Sequence, residues 1–287
     1  MRRLTVLRTG PQTLIQDLGR PGYAHLGVPP SGALDGPALR LANRLVGNPE
    51  SAAGLEVLLG GLALRAGASC TVAVTGPRVP VRRNGCAVGS HAPVYLARGD
   101  VLEVGTPEQG LRCYLAVSGG IDVAAELGSR STDLLSGIGP APVRDDDELP
   151  LGAVTAPAVG VDVLAPTRVP PELVVPVLLG PRDDWFDDPA RQLRDGRWTV
   201  SERSNRVGMR LTGTALVRAE GFQGVELPSE GIPTGGVQVP ADGQPVVFLA
   251  DHPTTGGYPV IGVVPAEVLS LLAQARPGVA LEFRPRD

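Results

Sequence analysis

The chain contains no lysine: all 26 of its basic residues are arginine. A P-loop needs a lysine on the bound phosphates, and a Schiff-base enzyme needs a lysine amine. A biotin or lipoyl carrier needs a lysine to modify. None of these roles is open to this chain. Aromatic residues are also scarce, at 3%. There are three cysteines, Cys70, Cys86 and Cys113. They form no CxxC, are odd in number and sit in what read as strands, which implies buried thiols in a reducing compartment. No segment approaches the roughly 18 uninterrupted apolar residues of a membrane span. Met1-Arg-Arg-Leu4 leads into no long apolar run, so no signal peptide is expected and the expected location is cytoplasmic. Basic residues nowhere gather beyond a pair or so, and the net charge is −4, which argues against nucleic acid as a partner.

Glycine and proline are plentiful instead. The 287 residues include 38 glycines and 29 prolines, about twice the average usage. With no fixed period, that composition implies many turns and β structure. The 43% hydrophobic content fits a folded chain, and the length suits two domains or one large β domain. Short Val- and Leu-rich runs recur at 57–64, 70–74, 93–97, 101–104, 111–117, 174–179, 215–218, 246–249 and 260–264. Their length and spacing predict a mainly β protein built of barrels or sandwiches. Three short helices are signalled. Asp35 is placed to cap one that begins at Pro37, with Ala38, Leu41, Ala42 and Leu45 inward and Gly47 as its stop. Asp188-Pro189 opens a second that stops at Gly196. Pro265 opens a third, with Val268, Leu269, Leu271 and Leu272 inward. Prolines 140, 142, 150, 157, 166, 170 and 171, with the acidic run Asp145–Glu148, read as a connection. The expected layout is a β domain over 1–145, a connection over 146–172 and a second β unit over 173–287. Gly27–Gly32 faintly echoes Gly231–Gly235 across it.

Four polar clusters offer chemistry. The first runs from Gln16-Asp-Leu-Gly-Arg20 through His25 to Ser31 and Asp35. The second spans Ser118–Asp122 and Leu127–Asp133. The third is Ser201–Arg210. The fourth joins Ser229-Glu-Gly-Ile-Pro-Thr-Gly-Gly-Val-Gln-Val-Pro240 to Asp251-His-Pro-Thr-Thr-Gly-Gly-Tyr-Pro259. Glycine lets backbone approach a ligand closely, and Thr, Ser and Gln supply neutral hydrogen bonds. The fourth cluster therefore reads as a grip on a small polar molecule. Thr254–Gly257 fits either a backbone nest for a developing oxyanion or an ordinary turn. Arg20, Arg130, Arg203 and Arg206 fit carboxylate or phosphate clamps, or surface ion pairs. Asp35 is a binding candidate as well as a cap. His252 is the one histidine inside a cluster, readable as an acid, base or ligand contact or as a structural group. The three histidines are too scattered for a zinc triad. Ser31 and Ser118 lack a G-x-S-x-G elbow.

These motifs, in this order over nearly the whole chain, resemble the KipA / allophanate-hydrolase-subunit-2 family, whose members are called 5-oxoprolinase C subunits or biotin-dependent carboxyltransferase family proteins. The resemblance implies cyclophilin-like β-barrel domains, a KipI-like B subunit and a lactam-processing A subunit. It implies ATP-dependent opening of 5-oxoproline to glutamate, with ATP, and Mg with it, held on this chain or with the partner. No biotin would be attached to this chain. Two alternatives accompany that reading: transfer of a carboxyl group from carboxybiotin to urea or a related amide, and a KipA-like regulatory binding role. Within the resemblance, Thr254, Thr255, Asp251 and His252 are the expected catalytic residues. Gln238, Gly256, Gly257, Arg20, Arg130, Arg206 and Asp35 are the expected substrate contacts, and no metal ligand is expected. Pro253 stands where the family usually has Gln.

Overall fold

The computed structural model describes residues 2–161, 164–166 and 168–286. The chain divides into two units, one of residues 1–20, 31–133 and 137–169, the other of residues 21–30, 134–136 and 170–287.

The first unit holds eleven strands. They are β1 (Arg3–Arg8), β2 (Gln12–Gln16), β3 (Gly54–Leu58), β4 (Ala63–Ala66), β5 (Cys70–Thr75), β6 (Val81–Arg83), β7 (Cys86–Val88), β8 (Val94–Leu96), β9 (Val101–Val104), β10 (Arg112–Val117) and β11 (Glu148–Pro150). One sheet runs β11-β1-β4-β9-β6-β7 and the other β2-β3-β10-β5-β8. Alternation along the strands sends Leu4, Val6, Leu64 and Leu102 from the first sheet, and Val57, Val72, Val74 and Leu115 from the second, into one shared core. Helix α1 (Gly36–Leu45) lies on the second sheet, packing Ala42, Leu45 and Val46 on Ala73 and Ala116. Its start follows the expected chemistry: Asp35 Oδ1 accepts from the Ala38 amide at 3.0 Å, a cap that stabilises by about 1 kcal/mol. Leu39 is fully buried, and burying a leucine contributes roughly 1.5–3 kcal/mol.

The second unit is a closed seven-stranded barrel. Its strands, in order around the barrel, are β12 (Glu172–Leu179), β19 (Val260–Val263), β16 (Gly236–Gln238), β17 (Val246–Phe248), β14 (Gly208–Gly213), β13 (Trp198–Val200) and β20 (Ala280–Arg286). β12 and β20 pair in parallel and close it. Leu173, Val175 and Val177 point inward along β12 while Val174 and Leu178 stay exposed. Trp198 meets Phe283 edge-on at 5.1 Å. Strands β15 (Glu230–Gly231) and β18 (Thr255–Gly256) form a separate two-stranded sheet. Helices α2 (Pro189–Asp195), capped by Asp188, and α3 (Ala266–Leu272) complete the unit.

The expectation of a mainly β protein with a β-barrel and a few short helices is met. Several details differ. The run 57–64 is two strands, because Leu59, Gly60 and Gly61 all take positive φ (54°, 72° and 83°) and reverse the chain. Residues 215–217 carry no strand, and only Arg218 makes an isolated bridge, to Phe186. Cys86 is exposed at the β6–β7 turn, whereas Cys70 and Cys113 are buried. In α3 only Leu272 is fully buried. Within the expected connection, Glu148–Pro150 is an edge strand on β1, with Leu149 opposite Leu4, so that span belongs largely to the first unit. Asp162, Val163 and Thr167 of it, and Asp287 of the second β unit, lie outside the described residues. Gly27–Gly32 carries no strand, so its echo of Gly231–Gly235 matches no repeated element.

Candidate active site

In the second unit, the two halves of the glycine-rich motif meet. Glu230 pairs with Gly256 and Gly231 with Thr255, and the Ile232 amide donates to the Thr254 carbonyl at 3.0 Å. Gln238, at the end of β16 and buried, lies beneath this strand pair and donates from Nε2 to the Tyr258 carbonyl at 3.2 Å. A Cβ on Gly256 would stand 2.6 Å from Ile232 Cδ1 and 2.9 Å from Gln238 Nε2. Glycine at 256 is therefore what lets the strand rest on Gln238. Thr255 and Gly257 are exposed and Thr254 and Gly256 half-buried. Arg182 braces the strand pair, donating from Nη2 to Glu230 Oε2 at 2.7 Å and from Nε to the same oxygen at 3.0 Å.

The residues just before β18 are tied down. Arg206 donates from Nε to Asp251 Oδ2 at 2.8 Å and from Nη2 to Asp251 Oδ1 at 2.9 Å. Both side chains are buried. The Asp251 amide donates to the Arg206 carbonyl at 3.1 Å. His252 stands 2.8 Å from the Pro253 carbonyl through Nδ1 and 2.8 Å from the Thr234 hydroxyl through Nε2. A carbonyl only accepts, so Nδ1 carries the proton and Nε2 accepts from Thr234. Burial pushes the His252 pKa down from its ordinary value, against smaller opposing effects of the Pro253 carbonyl and Asp251. The imidazole is thus held neutral, with both nitrogens engaged. Asp251, Arg206 and His252 are thus all engaged by other groups of the second unit.

Gly257 and Tyr258 face an open cleft of about 620 Å³, also lined by Arg218, Gln223, Glu226 and Asp242. The Arg218 guanidinium lies 5.5 Å from the centre of the Trp185 ring and donates from Nη1 to the Val225 carbonyl at 3.1 Å. Held over the ring and by the Val225 carbonyl, it offers a planar set of donors to the cleft. Sequence reasoning misses Arg218, because it closes an apolar run and belongs to none of the four polar clusters.

In the first unit, the N-terminal motif and the Leu127–Asp133 motif meet around Asp17. Its carboxylate accepts from Ser129 Oγ and Ser131 Oγ, each at 2.6 Å, and from the Gly19 and Arg130 amides at 2.8 and 2.7 Å. Arg20 is buried and donates to the Ser131 carbonyl and, at 3.4 Å, to the Glu126 carbonyl. Arg130 turns outward, bonding the Val123 carbonyl and Asp122 Oδ1. Asp35 is set apart from that cluster. Its amide donates to Tyr114 Oη at 2.8 Å, and Tyr114 donates to Glu56 Oε2 at 2.7 Å. Burial, and then the Glu56 charge, hold the Tyr114 pKa well above its ordinary value. Arg203, the remaining expected clamp, is exposed in a turn. Among the described residues no group of three His, Cys, Asp or Glu side chains is arranged to hold a metal ion.

The second unit is thus a closed barrel carrying a glycine-rich two-stranded sheet, with a cleft lined by Gly257, Tyr258 and Arg218, and comparison places the whole chain. Residues 26–285 match the family described as carboxyltransferase domain, subdomain A and B. The chain belongs to this carboxyltransferase-domain family. It is 38% identical to the 5-oxoprolinase C subunit of Escherichia coli (strain K12), over 98% of this chain and 90% of that protein. It is 32% identical to the urea amidolyase of Lachancea kluyveri, over 98% of this chain and 17% of that one. The crystal structure of the K. lactis urea amidolyase superposes with a TM-score of 0.91 at 30% identity, covering 99% of this chain and 19% of that chain. The chain is homologous to a 5-oxoprolinase component and to one part of much longer urea amidolyases.

Proposed function

We propose that this chain is the C subunit of a multi-subunit, ATP-dependent 5-oxoprolinase, opening 5-oxoproline to glutamate in the cytoplasm together with a KipI-like B subunit and a lactam-processing A subunit. The observation that carries this reading is the 38% identity to a 5-oxoprolinase C subunit spanning 90% of that protein. The glycine-rich strand pair supports it chemically. Opening a lactam, or activating its carbonyl with a phosphoryl group, builds negative charge on oxygen, which fixed N–H and O–H donors stabilise. In this reading the hydroxyls of Thr254 and Thr255 and the backbone of Gly256 and Gly257 supply those donors, with Gln238 beneath. ATP, with Mg, is held with the partner or on this chain in a mode that uses no P-loop lysine. The test is to co-purify the chain with both partners and measure ATP hydrolysis with and without 5-oxoproline. Stimulation by 5-oxoproline is expected; its absence in the intact complex would refute the reading.

A second reading, carboxyl transfer from carboxybiotin to urea or a related amide, is favoured by the family match and the urea amidolyase relatives. The same donors would then stabilise the amide during carboxylation. Turnover of carboxybiotin and urea by the complex distinguishes it.

A further inference from the structure

One wall of the cleft in the second unit is built differently from the rest. Gln223, Gly224, Val225 and Glu226 form it. They belong to residues 223–229, which carry neither helix nor strand between the helical turn Glu220–Phe222 and β15. All of this segment is exposed except Leu227, which is half-buried. Among the described residues, the Gly224, Glu226, Leu227 and Ser229 amides donate to no group of the chain. Those of Gln223 and Val225 make only local bonds of 3.4 and 3.3 Å, to the Glu220 and Phe222 carbonyls. A segment with so few backbone bonds and so little burial opens at small cost.

Its two ends are fixed. Before it, Phe222 stacks on Trp185 with ring centres 4.7 Å apart, and the Ala219 amide donates to the Trp185 carbonyl at 2.9 Å. After it, Glu230 is held by Arg182 and by pairing with Gly256. The segment is therefore a strap. Gly224 gives it a pivot: φ is 71° there, and a Cβ would meet nothing within 4 Å, so this glycine serves conformation and not packing.

The middle of the strap is tethered by one side chain. Arg218 donates from Nη1 to the Val225 carbonyl at 3.1 Å, and from Nη2 to the Val239 carbonyl at 3.5 Å. Both acceptors are neutral. A carboxylate offers the guanidinium stronger, charge-assisted bonds in a matching fork. Glu226 and Asp242, the acidic residues of the lining, are exposed, where solvent and salt screen them. Apolar surface for closure is also in place. Val217, Val225 and Tyr258 are 59%, 42% and 46% exposed, and they line this one cleft from three separate segments. Bringing them together removes apolar surface from water.

We propose that residues 223–229 are a lid over the cleft and that Arg218 is its latch, exchanging the Val225 carbonyl for a carboxylate of the bound ligand. Release of the carbonyl frees the strap to fold over the ligand and carries Val225 toward Val217 and Tyr258. The closed lid keeps water from the glycine-rich strand pair. The proposal rests on the functional reading above only in taking this cleft as the place where substrate binds.

The test is cleavage after Glu226 by a glutamate-specific protease, followed by mass spectrometry, with cleavage after Glu202, in an exposed turn, as the control. In the free full-length chain, Arg218→Gln should speed cleavage after Glu226 roughly fivefold, the worth of one hydrogen bond, and leave the control unchanged. In the assembled complex, 5-oxoproline with ATP should slow it about tenfold. An unchanged rate in Arg218→Gln, or turnover of 5-oxoproline without protection of Glu226, would overturn the lid. If Arg218→Gln speeds both cleavages, the whole unit has loosened and Val225→Ser decides. That exposed position should be cleaved like wild type in the free chain and protected severalfold less by ligand; protection equal to wild type would overturn the lid. A complex inert toward 5-oxoproline contradicts the proposed function alone. Carboxybiotin, which also carries a carboxylate, then replaces it in the same assay: slowed cleavage after Glu226 supports the lid, and an unchanged rate overturns it.

Discussion

Arg206 and Asp251 meet through two parallel hydrogen bonds, 2.8 and 2.9 Å long, with both side chains out of water. The pair fixes the chain three residues before Thr254. Removing one partner strands a buried charge, which costs about 3–5 kcal/mol. Asp251→Asn and Arg206→Met should each lower the unfolding free energy, read from urea denaturation, by that amount. The double variant Arg206→Met/Asp251→Leu should be more stable than either single one. Equal or additive losses in the denaturation series would refute the ion pair as a coupled unit.

His252 predicts a pH dependence whose sign follows from its environment. Its pKa is lowered in the folded state, chiefly by burial, and that of His91 is lowered by the same cause. The unfolded chain therefore binds more protons as the pH falls through the ordinary histidine value of about 6.5. Stability rises with pH through that window and is lost on acidification. Replacing His252 with Asn should flatten the dependence between roughly pH 5 and 6.5, leaving the share due to His91. An unchanged slope would show that His252 does not titrate on unfolding.

Gly256 is constrained by contact, since its Cβ would press on Ile232 and Gln238. Gly256→Ala should cost about 1–3 kcal/mol of stability by crowding. With the partners present, it should reduce turnover further, because the displaced strand carries the proposed donors. Thr255→Val combined with Gly256→Ala tests those donors together. Full activity of that double variant in the intact complex would eliminate this strand pair from the chemistry.

Arg218 holds its guanidinium carbon 5.5 Å from the centre of the Trp185 ring, beside the cleft that Gly257 and Tyr258 line. If it orients a carboxylate-bearing substrate, Arg218→Gln should raise KM about tenfold or more with a smaller change in kcat. Arg218→Lys should recover only part, because a lysine lacks the planar fork. Trp185→Leu should mimic a weaker form of the same defect. A KM unaffected by all three substitutions assigns Arg218 to structure alone.

Some parts of this molecule are legible in its sequence, and others are hidden for definite reasons. Asp35 and Asp188 each accept from the amide three residues on, just ahead of a proline-started turn of helix, so local chemistry is enough to place α1 and α2. The β character is legible from Val- and Leu-rich runs, and Gly60-Gly61 marks the break inside the run 57–64, whereas the positive φ of Leu59 that begins it leaves no signal of its own. The pairing of Ser229–Pro240 with Asp251–Pro259 can be suspected from their shared composition. The engagement of Asp251 by Arg206, 45 residues earlier, cannot. Arginines that look alike in the sequence separate in the fold: Arg206 is ion-paired, Arg130 half-exposed, and Arg20 buried with one nitrogen unpartnered. Burial and partner choice are set by long-range packing, which local motifs do not encode.

The most direct test of the proposed function is glutamate formation by the complex of this chain with its A and B partners. Glutamate should accumulate from 5-oxoproline only with ATP, Mg²⁺ and all three proteins present, and leaving out this chain should abolish it. Glutamate formed without this chain, or a complex inert toward 5-oxoproline that carboxylates urea from carboxybiotin, would contradict it.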